Sequence, residues 1–107
     1  MNWRRRRKSP PTVDIQSARL ARAPHVHTVT QGDETVLLDA ERGQYYTLNE
    51  VGGRIWSLLV DGTSFAEIVD RLCAEYDVTR ERGERDADML LRELLGKSLL
   101  RAERRDS

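Results

Sequence analysis

The fold is decided in the stretch QYYTLNEVGGRIWSLLVDG at residues 44–62, where the spacing of the apolar residues changes. Its first five residues include aromatic and β-branched side chains, which are typical of a β-strand. From Asn49 onward the apolar residues follow helical spacing, with Asn49 suited to an N-cap and Gly62 to a helix end. The stretch therefore predicts a strand that leads directly into a helix.

Two further strands are predicted upstream of this stretch. Residues 26–30 (VHTVT) and 35–38 (TVLL) are rich in β-branched side chains and are separated by the turn pair Gly32-Asp33. The connection to the third strand, residues 39–43 (DAERG), is also short. Because parallel strands need a long crossover, such short connections predict antiparallel neighbours. The first and third strands would then be the two open edges of the sheet.

Two more helices are predicted downstream. Ser64 and Glu67 have the spacing of a capping box in front of an amphipathic stripe. A third helix is expected to begin between Thr79 and Asp86, and Leu99-Leu100 to pack back onto the domain. The core arc of that third helix would be Ala87, Leu90, Leu91, Leu94 and Leu95. The predicted fold class is α+β and winged-helix-like, a three-stranded antiparallel sheet followed by three helices.

Charge divides the chain into an N-terminal segment and a folded part. The 107 residues include 18 cationic and 18 acidic side chains, but residues 1–25 carry a net charge of +6 and the remainder a net charge of −6. The N-terminal segment also contains all three prolines and few large apolar side chains, so it buries too little surface to offset its ordering entropy. We expect a flexible basic arm at 1–24, a folded domain at 25–101 and a charged tail at 102–107.

The sequence offers little for catalysis. Cys73, the single cysteine, lies on the apolar stripe of the second predicted helix, and His25 and His27 have no third metal ligand nearby. We therefore expect no enzymatic activity, no metal and no cofactor. No apolar run approaches the roughly 20 residues of a membrane span, and no apolar stretch follows the basic N-terminus as in a secretory signal. These features predict a cytoplasmic protein without a membrane partner.

Nucleic-acid binding is the alternative from a different functional class. The basic run RRRRK at residues 4–8 could attract a polyanion, and three helices beside a small sheet can form a winged helix. However, the arginines of the third predicted helix alternate with acidic residues, and the folded part is acidic overall. Since DNA-binding proteins gain much of their affinity from neutralising phosphates, this charge pattern disfavours nucleic acid as a partner.

Three runs in this order resemble the PqqD-like family: VLLD at residues 36–39, GQYYTLN at 43–49 and GRIWSLL at 53–59. The resemblance extends over about residues 26–100. Members of this family are the recognition elements for precursor peptides that are made on ribosomes and then modified. The chain is most similar to the stand-alone recognition protein of lasso-peptide pathways, although the arginine-rich run at 4–8 departs from that group.

The resemblance implies that the chain binds the leader region of a precursor peptide without catalysis. The leader would add as an antiparallel strand to the third strand, beside the third helix, by β-augmentation. The implied partners are this leader peptide, a leader peptidase with a Cys/His/Asp site and an ATP-dependent macrolactam cyclase. An alternative within the same fold is a peptide chaperone for the pyrroloquinoline-quinone pathway or another radical-enzyme pathway.

The resemblance also assigns candidate peptide-binding residues to the third strand and the third helix. Tyr45 and Tyr46 would point to opposite faces of the strand, and either could line the groove. The acidic side chains on the helix suggest that a cationic leader residue could bind there. The candidates are Gly43, Gln44, Tyr45, Tyr46, Thr47, Leu48, Asp86, Met89, Leu90, Glu93 and Leu94.

Overall fold

The computed structural model describes residues 15–103. Within this range the chain forms an α+β fold whose elements are, in order, β1 (Arg19–Arg22), β2 (Val26–Gln31), β3 (Glu34–Asp39), β4 (Gln44–Leu48), α1 (Glu50–Val60), α2 (Phe65–Glu75), α3 (Arg80–Gly96) and β5 (Leu100–Glu103). None of these helices is long and apolar enough to cross a membrane.

The predicted three-stranded antiparallel sheet is confirmed. Its order is β2-β3-β4, and Val36 at the centre pairs with Val29 on one side and Thr47 on the other. Gly32 and Gly43 occupy the two connecting turns with φ of +62° and +67°. Side chains other than glycine rarely adopt these values, which is why both turns can be tight.

Side-chain caps fix the beginning of each helix. The N–H of Gly52 donates to Asn49 Oδ1 at 2.8 Å, so α1 begins where the sequence predicts. Ser64 caps α2 through the N–H of Glu67, as the capping-box spacing predicts. Thr79 caps α3, at the early limit of the predicted range.

α1 packs on β3 and β4, and α2 and α3 pack against α1 and against each other, so that the elements enclose a single core. Trp56 of α1 is buried and donates from Nε1 to Thr28 Oγ1 of β2 at 3.0 Å, which satisfies its polar group inside the core. Leu99 and Leu100 are also buried, as predicted. The most deeply buried apolar side chains include Ile15, Val26, Leu37, Ile55, Ile68, Val69, Leu72, Leu91 and Leu99.

The predicted boundaries of the folded part are wrong at both ends. β1 and β5 form a separate two-stranded antiparallel sheet in which Leu20 pairs with Ala102. Ile15 is only 1% exposed, so residues 15–24 belong to the core-forming domain rather than to a flexible arm. Residues 102 and 103 likewise lie in a strand rather than in a charged tail. The basic run at residues 4–8 lies outside the described residues.

Candidate functional site

β4 is an edge strand of the three-stranded sheet. One side of it pairs with β3, and no other strand formed by residues 15–103 pairs with its opposite side. An edge strand presents backbone N–H and C=O groups that an extended peptide can satisfy. Residues 44–48, all predicted as binding residues, therefore offer the backbone N–H and C=O groups that point away from β3.

The two tyrosines of β4 lie on opposite faces of the sheet, and the structure assigns each to its face. Tyr46 pairs with Leu37, which is fully buried, and packs against the core on the helical side. Tyr45 pairs with the exposed Leu38 and is 70% exposed on the other face. Of the two, Tyr46 is therefore the side chain beside the helices.

The C-terminal end of α3 lies next to β4. Lys97, which follows the helix, places its Nζ 5.6 Å from the centroid of the Tyr46 ring. At 100° per residue, Asp86, Leu90 and Glu93 project from α3 within about 40° of the direction of Lys97. We define this flank of α3, formed by Asp86, Leu90 and Glu93, as the groove wall, the candidate helical side of a groove along the β4 edge.

The remaining predicted helix residues fall outside this groove wall. Leu94 is buried in the core, on the inner side of the wall. Met89 is 62% exposed and projects about 80° away from the direction of Lys97, toward solvent. Leu90 is the apolar side chain of the wall itself, and it is partly buried against the core. The wall thus has one apolar residue flanked by two carboxylates.

Each wall carboxylate has a cationic partner four residues away along the chain. Arg82 Nε lies 3.3 Å from Asp86 Oδ2, and Lys97 Nζ lies 3.7 Å from Glu93 Oε2. All four side chains are substantially exposed, so each pair contributes little to stability. The wall consequently presents paired charges of both signs instead of a simple acidic surface for a cationic leader residue.

A buried carboxylate organises the turn at the start of β4. Asp39 is fully buried, and its Oδ1 accepts hydrogen bonds at 3.0 Å from the backbone N–H groups of Glu41 and Arg42. The N–H of Arg42 contributes most to holding the pKa of Asp39 below its usual value. Burial opposes this effect, and the Glu41 N–H and the charges of His25 and Arg42 reinforce it. The carboxylate is therefore held ionised inside the turn.

Arg42 connects this turn to the end of α3. Its Nη1 lies 3.3 Å from Asp39 Oδ2 and donates to the carbonyl oxygen of Lys97 at 3.0 Å. Sequence reasoning missed this connection, because 55 residues separate Arg42 from Lys97. The only local signal was an aspartate followed by a glycine, which is typical of a turn but says nothing about a distant helix.

One cleft of the described chain lies away from the groove wall. It has a volume of about 730 Å³ and is lined by β1, the end of α1 and the start of α2, with Leu20, Leu59 and Phe65 among its lining residues. None of the predicted binding residues lines it. The candidate site is accordingly a strand edge with a helical wall, a shallow form that suits an extended chain better than a compact ligand.

Metal binding finds no support among residues 15–103. No group of three or more His, Cys, Asp or Glu side chains in this range could hold a metal ion. His25 Nε2 is buried without a hydrogen-bond partner and lies 3.8 Å from Asp39 Oδ1. This proximity adds a further polar group to the turn beneath β4.

Comparison with known proteins gives a family and several solved structures. Residues 34–100 match the family described as coenzyme PQQ synthesis protein D (PqqD). TbiB1 in complex with the TbiA(beta) leader peptide is 44% identical, with a TM-score of 0.74, and the match covers 79% of this chain and 99% of TbiB1. A lasso peptide synthetase B1 complexed with the leader peptide is 31% identical, with the same TM-score, and the match covers 78% and 99% of the two chains.

A third structure shares the fold alone. The heterocyclase TruD is 20% identical with a TM-score of 0.57, and the match covers 80% of this chain but 12% of TruD. Comparison with curated protein sequences gives no match.

Proposed function

Since this chain belongs to the PqqD family, we propose that it is a non-catalytic recognition protein that binds the leader of a ribosomally made precursor peptide. In this proposal the leader adds to β4 as an antiparallel strand. The observation that carries it is the open edge of β4 lying beside the groove wall of α3. The two similar B1 structures, each a complex with a leader peptide, support the same ligand class.

Affinity would come mainly from the backbone of β4. An added strand exchanges hydrogen bonds with those N–H and C=O groups of residues 44–48 that point away from β3, and these bonds tolerate many leader sequences. Specificity would come from alternate leader side chains, because every second one points toward the helices. Those side chains would contact Tyr46 and Leu90, the partly buried apolar residues on the two sides of the groove.

The exposed charges of the groove wall have a consequence for the ligand. Arg82 with Asp86 and Lys97 with Glu93 are solvated pairs whose partners can be exchanged at low cost. A charged leader residue of either sign could therefore be accommodated at the rim. We accordingly assign the wall a role in excluding water and shaping the groove, with Met89 and Leu94 as peripheral and core residues.

Binding would serve delivery to other enzymes. A captured leader holds its attached segment near any enzyme that associates with the complex, which raises the effective concentration of substrate. For a lasso-peptide pathway we propose a Cys/His/Asp leader peptidase and an ATP-dependent macrolactam cyclase as these partners. The similarity to two lasso B1 proteins favours this assignment over a radical-enzyme pathway.

The proposal is tested by titrating the full-length protein into labelled TbiA(beta) leader peptide and, separately, into labelled duplex DNA. At about 150 mM salt, long-range charge attraction is largely screened. We expect saturable binding of the peptide and none of the DNA at the same protein concentrations. Tighter binding of the DNA, or no binding of the peptide, would contradict the proposal.

Hydrogen exchange identifies the edge that is used. β2 is the other edge strand of the same sheet, so it is an internal control for β4. We expect the peptide to slow amide exchange in residues 44–48 and to leave residues 26–31 unchanged. Protection confined to β2 would mean that the leader adds to the opposite edge.

A further inference from the structure

The groove between β4 and α3 is held together at one end. Arg42 Nη1 donates to the carbonyl oxygen of Lys97, and Lys97 Nζ lies over the ring of Tyr46. The first contact lies just before Gln44, the second lies at Tyr46 in the middle of β4, and both involve the residue that follows α3. Within residues 15–103 no side-chain hydrogen bond or ion pair joins the Leu48 end of β4 to α3. Among these residues, the side-chain contacts between the two walls therefore lie from the turn before Gln44 to the middle of β4.

The tie is anchored in the core of the domain. Arg42 is half exposed, but its partner Asp39 is fully buried and is itself fixed by two backbone N–H groups. A guanidinium that bonds a fixed carboxylate and a carbonyl oxygen at once has little freedom to rotate. The carbonyl oxygen that it reaches belongs to the residue that caps α3, where helical backbone acceptors lack internal partners. We define Asp39, Arg42 and Lys97 as the clasp.

Provided that the proposed function holds, the direction of β4 determines which end of the leader lies beside the clasp. β4 runs from Gln44 to Leu48, so an antiparallel leader runs from the Leu48 end toward the Gln44 end. The C-terminal part of the leader, which continues into the segment to be processed, would therefore leave the groove beside the clasp. The N-terminal part would lie at the untied end.

We infer that Arg42 is a positioning residue for the bound precursor, which fixes the spacing of β4 and α3 where the processed segment leaves the groove. It acts through Asp39 and Lys97 and requires no contact with the leader. With the spacing fixed, strand pairing continues to Gln44, and the register of the departing segment is set. Without it, the last pairs at this end open while the rest of the leader stays bound.

The test compares two forms of one probe. The first is the complete TbiA(beta) leader peptide, and the second is the same peptide shortened at its C-terminal end so that it stops before Gln44. Arg42→Ala should weaken binding of the complete peptide about tenfold, equivalent to 1.4 kcal/mol, and should leave binding of the shortened peptide within about twofold. Equal losses for both peptides, or no loss for the complete one, would overturn the inference.

Arg54→Ala is the matched control. Arg54 also links two elements through a carboxylate, since its Nε and Nη2 each lie 2.8 Å from an oxygen of Glu75, but it joins α1 to α2 and not β4 to α3. This variant should bind both peptides as the wild type does. If it reproduced the selective loss seen with Arg42→Ala, a general loosening of the fold would explain the effect and the inference would be wrong.

A conservative variant keeps the test decisive if Arg42→Ala does not fold. Arg42→Lys retains the charge beside Asp39 but lacks the rigid, planar guanidinium whose Nη1 donates to both acceptors. It should show a smaller selective loss for the complete peptide, accompanied by faster amide exchange at residues 44 and 45 in the complex. Wild-type affinity and exchange in Arg42→Lys would contradict the inference, whereas failure of the wild-type protein to bind either peptide would instead contradict the proposed function.

Discussion

Gly53 of α1 packs directly on Thr35 of β3. A β-carbon at position 53 would lie 3.2 Å from Cβ of Thr35 and would overlap its Oγ1. Thr35 is buried and pairs with Leu48 of β4, so this contact sets the height of α1 over the sheet. The first helix can lie close to the strands only because position 53 has no side chain.

Gly53→Ala is therefore expected to destabilise the protein despite the higher helix propensity of alanine. The added methyl group must displace Thr35 or the helix, and overpacking of this kind costs about 1–3 kcal/mol. Urea unfolding followed by tryptophan fluorescence measures the change. Gly96→Ala is the matched control, since no atom lies within 4 Å of a β-carbon built there. It should leave stability unchanged or raise it by up to about 1 kcal/mol, and a loss as large as that of Gly53→Ala would contradict the packing argument.

The second prediction concerns the buried indole of Trp56. Thr28→Val keeps the shape of the side chain but removes the acceptor of the Trp56 Nε1 hydrogen bond. A buried donor left without a partner costs about 1–3 kcal/mol, which chemical unfolding should detect. Thr30→Val on the same strand is the control: both threonines are exposed, but only Thr28 accepts the hydrogen bond from Trp56, so the Thr30 substitution should change stability by less than about 0.5 kcal/mol. Equal effects of the two variants would show that the indole hydrogen bond contributes no net stability.

Local sequence signals predicted most of the secondary structure of the domain. The elements that they missed depend on partners that are distant in sequence. The caps of Asn49 and Ser64 and the exact span of β4 follow from neighbouring residues, so sequence reasoning found them. β1 and β5 have four residues each and lie near opposite ends of the chain. Neither has enough alternation of apolar and polar residues to be recognised as a strand from its own sequence, and each is stabilised by pairing with the other.

The candidate site likewise has a part that the local sequence predicted and a part that it did not. The β4 edge was predictable, because short connections force antiparallel neighbours and leave the third strand at the border. The direction of each α3 side chain was not, since helical periodicity places Met89 outside the core arc but does not say where β4 lies. The contact of Lys97 with Tyr46 supplies that reference, and it favours Leu90 over Met89 as the candidate apolar residue of the groove wall.

The third prediction follows from this choice of Leu90. Leu90→Asp places a charge on the groove wall and should lower the affinity for the TbiA(beta) leader peptide at least about tenfold. Met89→Asp makes the same chemical change one residue away on the solvent side and should leave affinity within about twofold. Circular dichroism checks that both variants keep the helical content of the wild type.

Two outcomes would contradict the assignment of the wall. If Met89→Asp lowered affinity more than Leu90→Asp, the leader would contact the outer side of α3. If both folded variants bound as the wild type does, the leader would bind without contacting the helix, and the β4 backbone alone would account for the affinity.

The last prediction concerns pH and the buried Asp39. Its pKa is lower in the folded protein than in the unfolded chain, so the ionised form stabilises the fold above the unfolded value of about 4. As pH falls below that value toward the lower folded pKa, the unfolded chain takes up a proton first and this stabilisation is lost.

Asp39→Asn keeps an oxygen that can accept from the backbone of Glu41 and Arg42 but has no charge to titrate. The variant should be less stable than the wild type at pH 5, and the difference should shrink by pH 2.5. Urea unfolding of both proteins at several pH values across this interval measures the difference in their free energies of unfolding. Other carboxylates, such as Glu75, whose pKa Arg54 also lowers, titrate in both proteins, so their contributions cancel in this difference. A difference that stays constant over the interval would show that the negative charge of Asp39 does not stabilise the turn beneath β4.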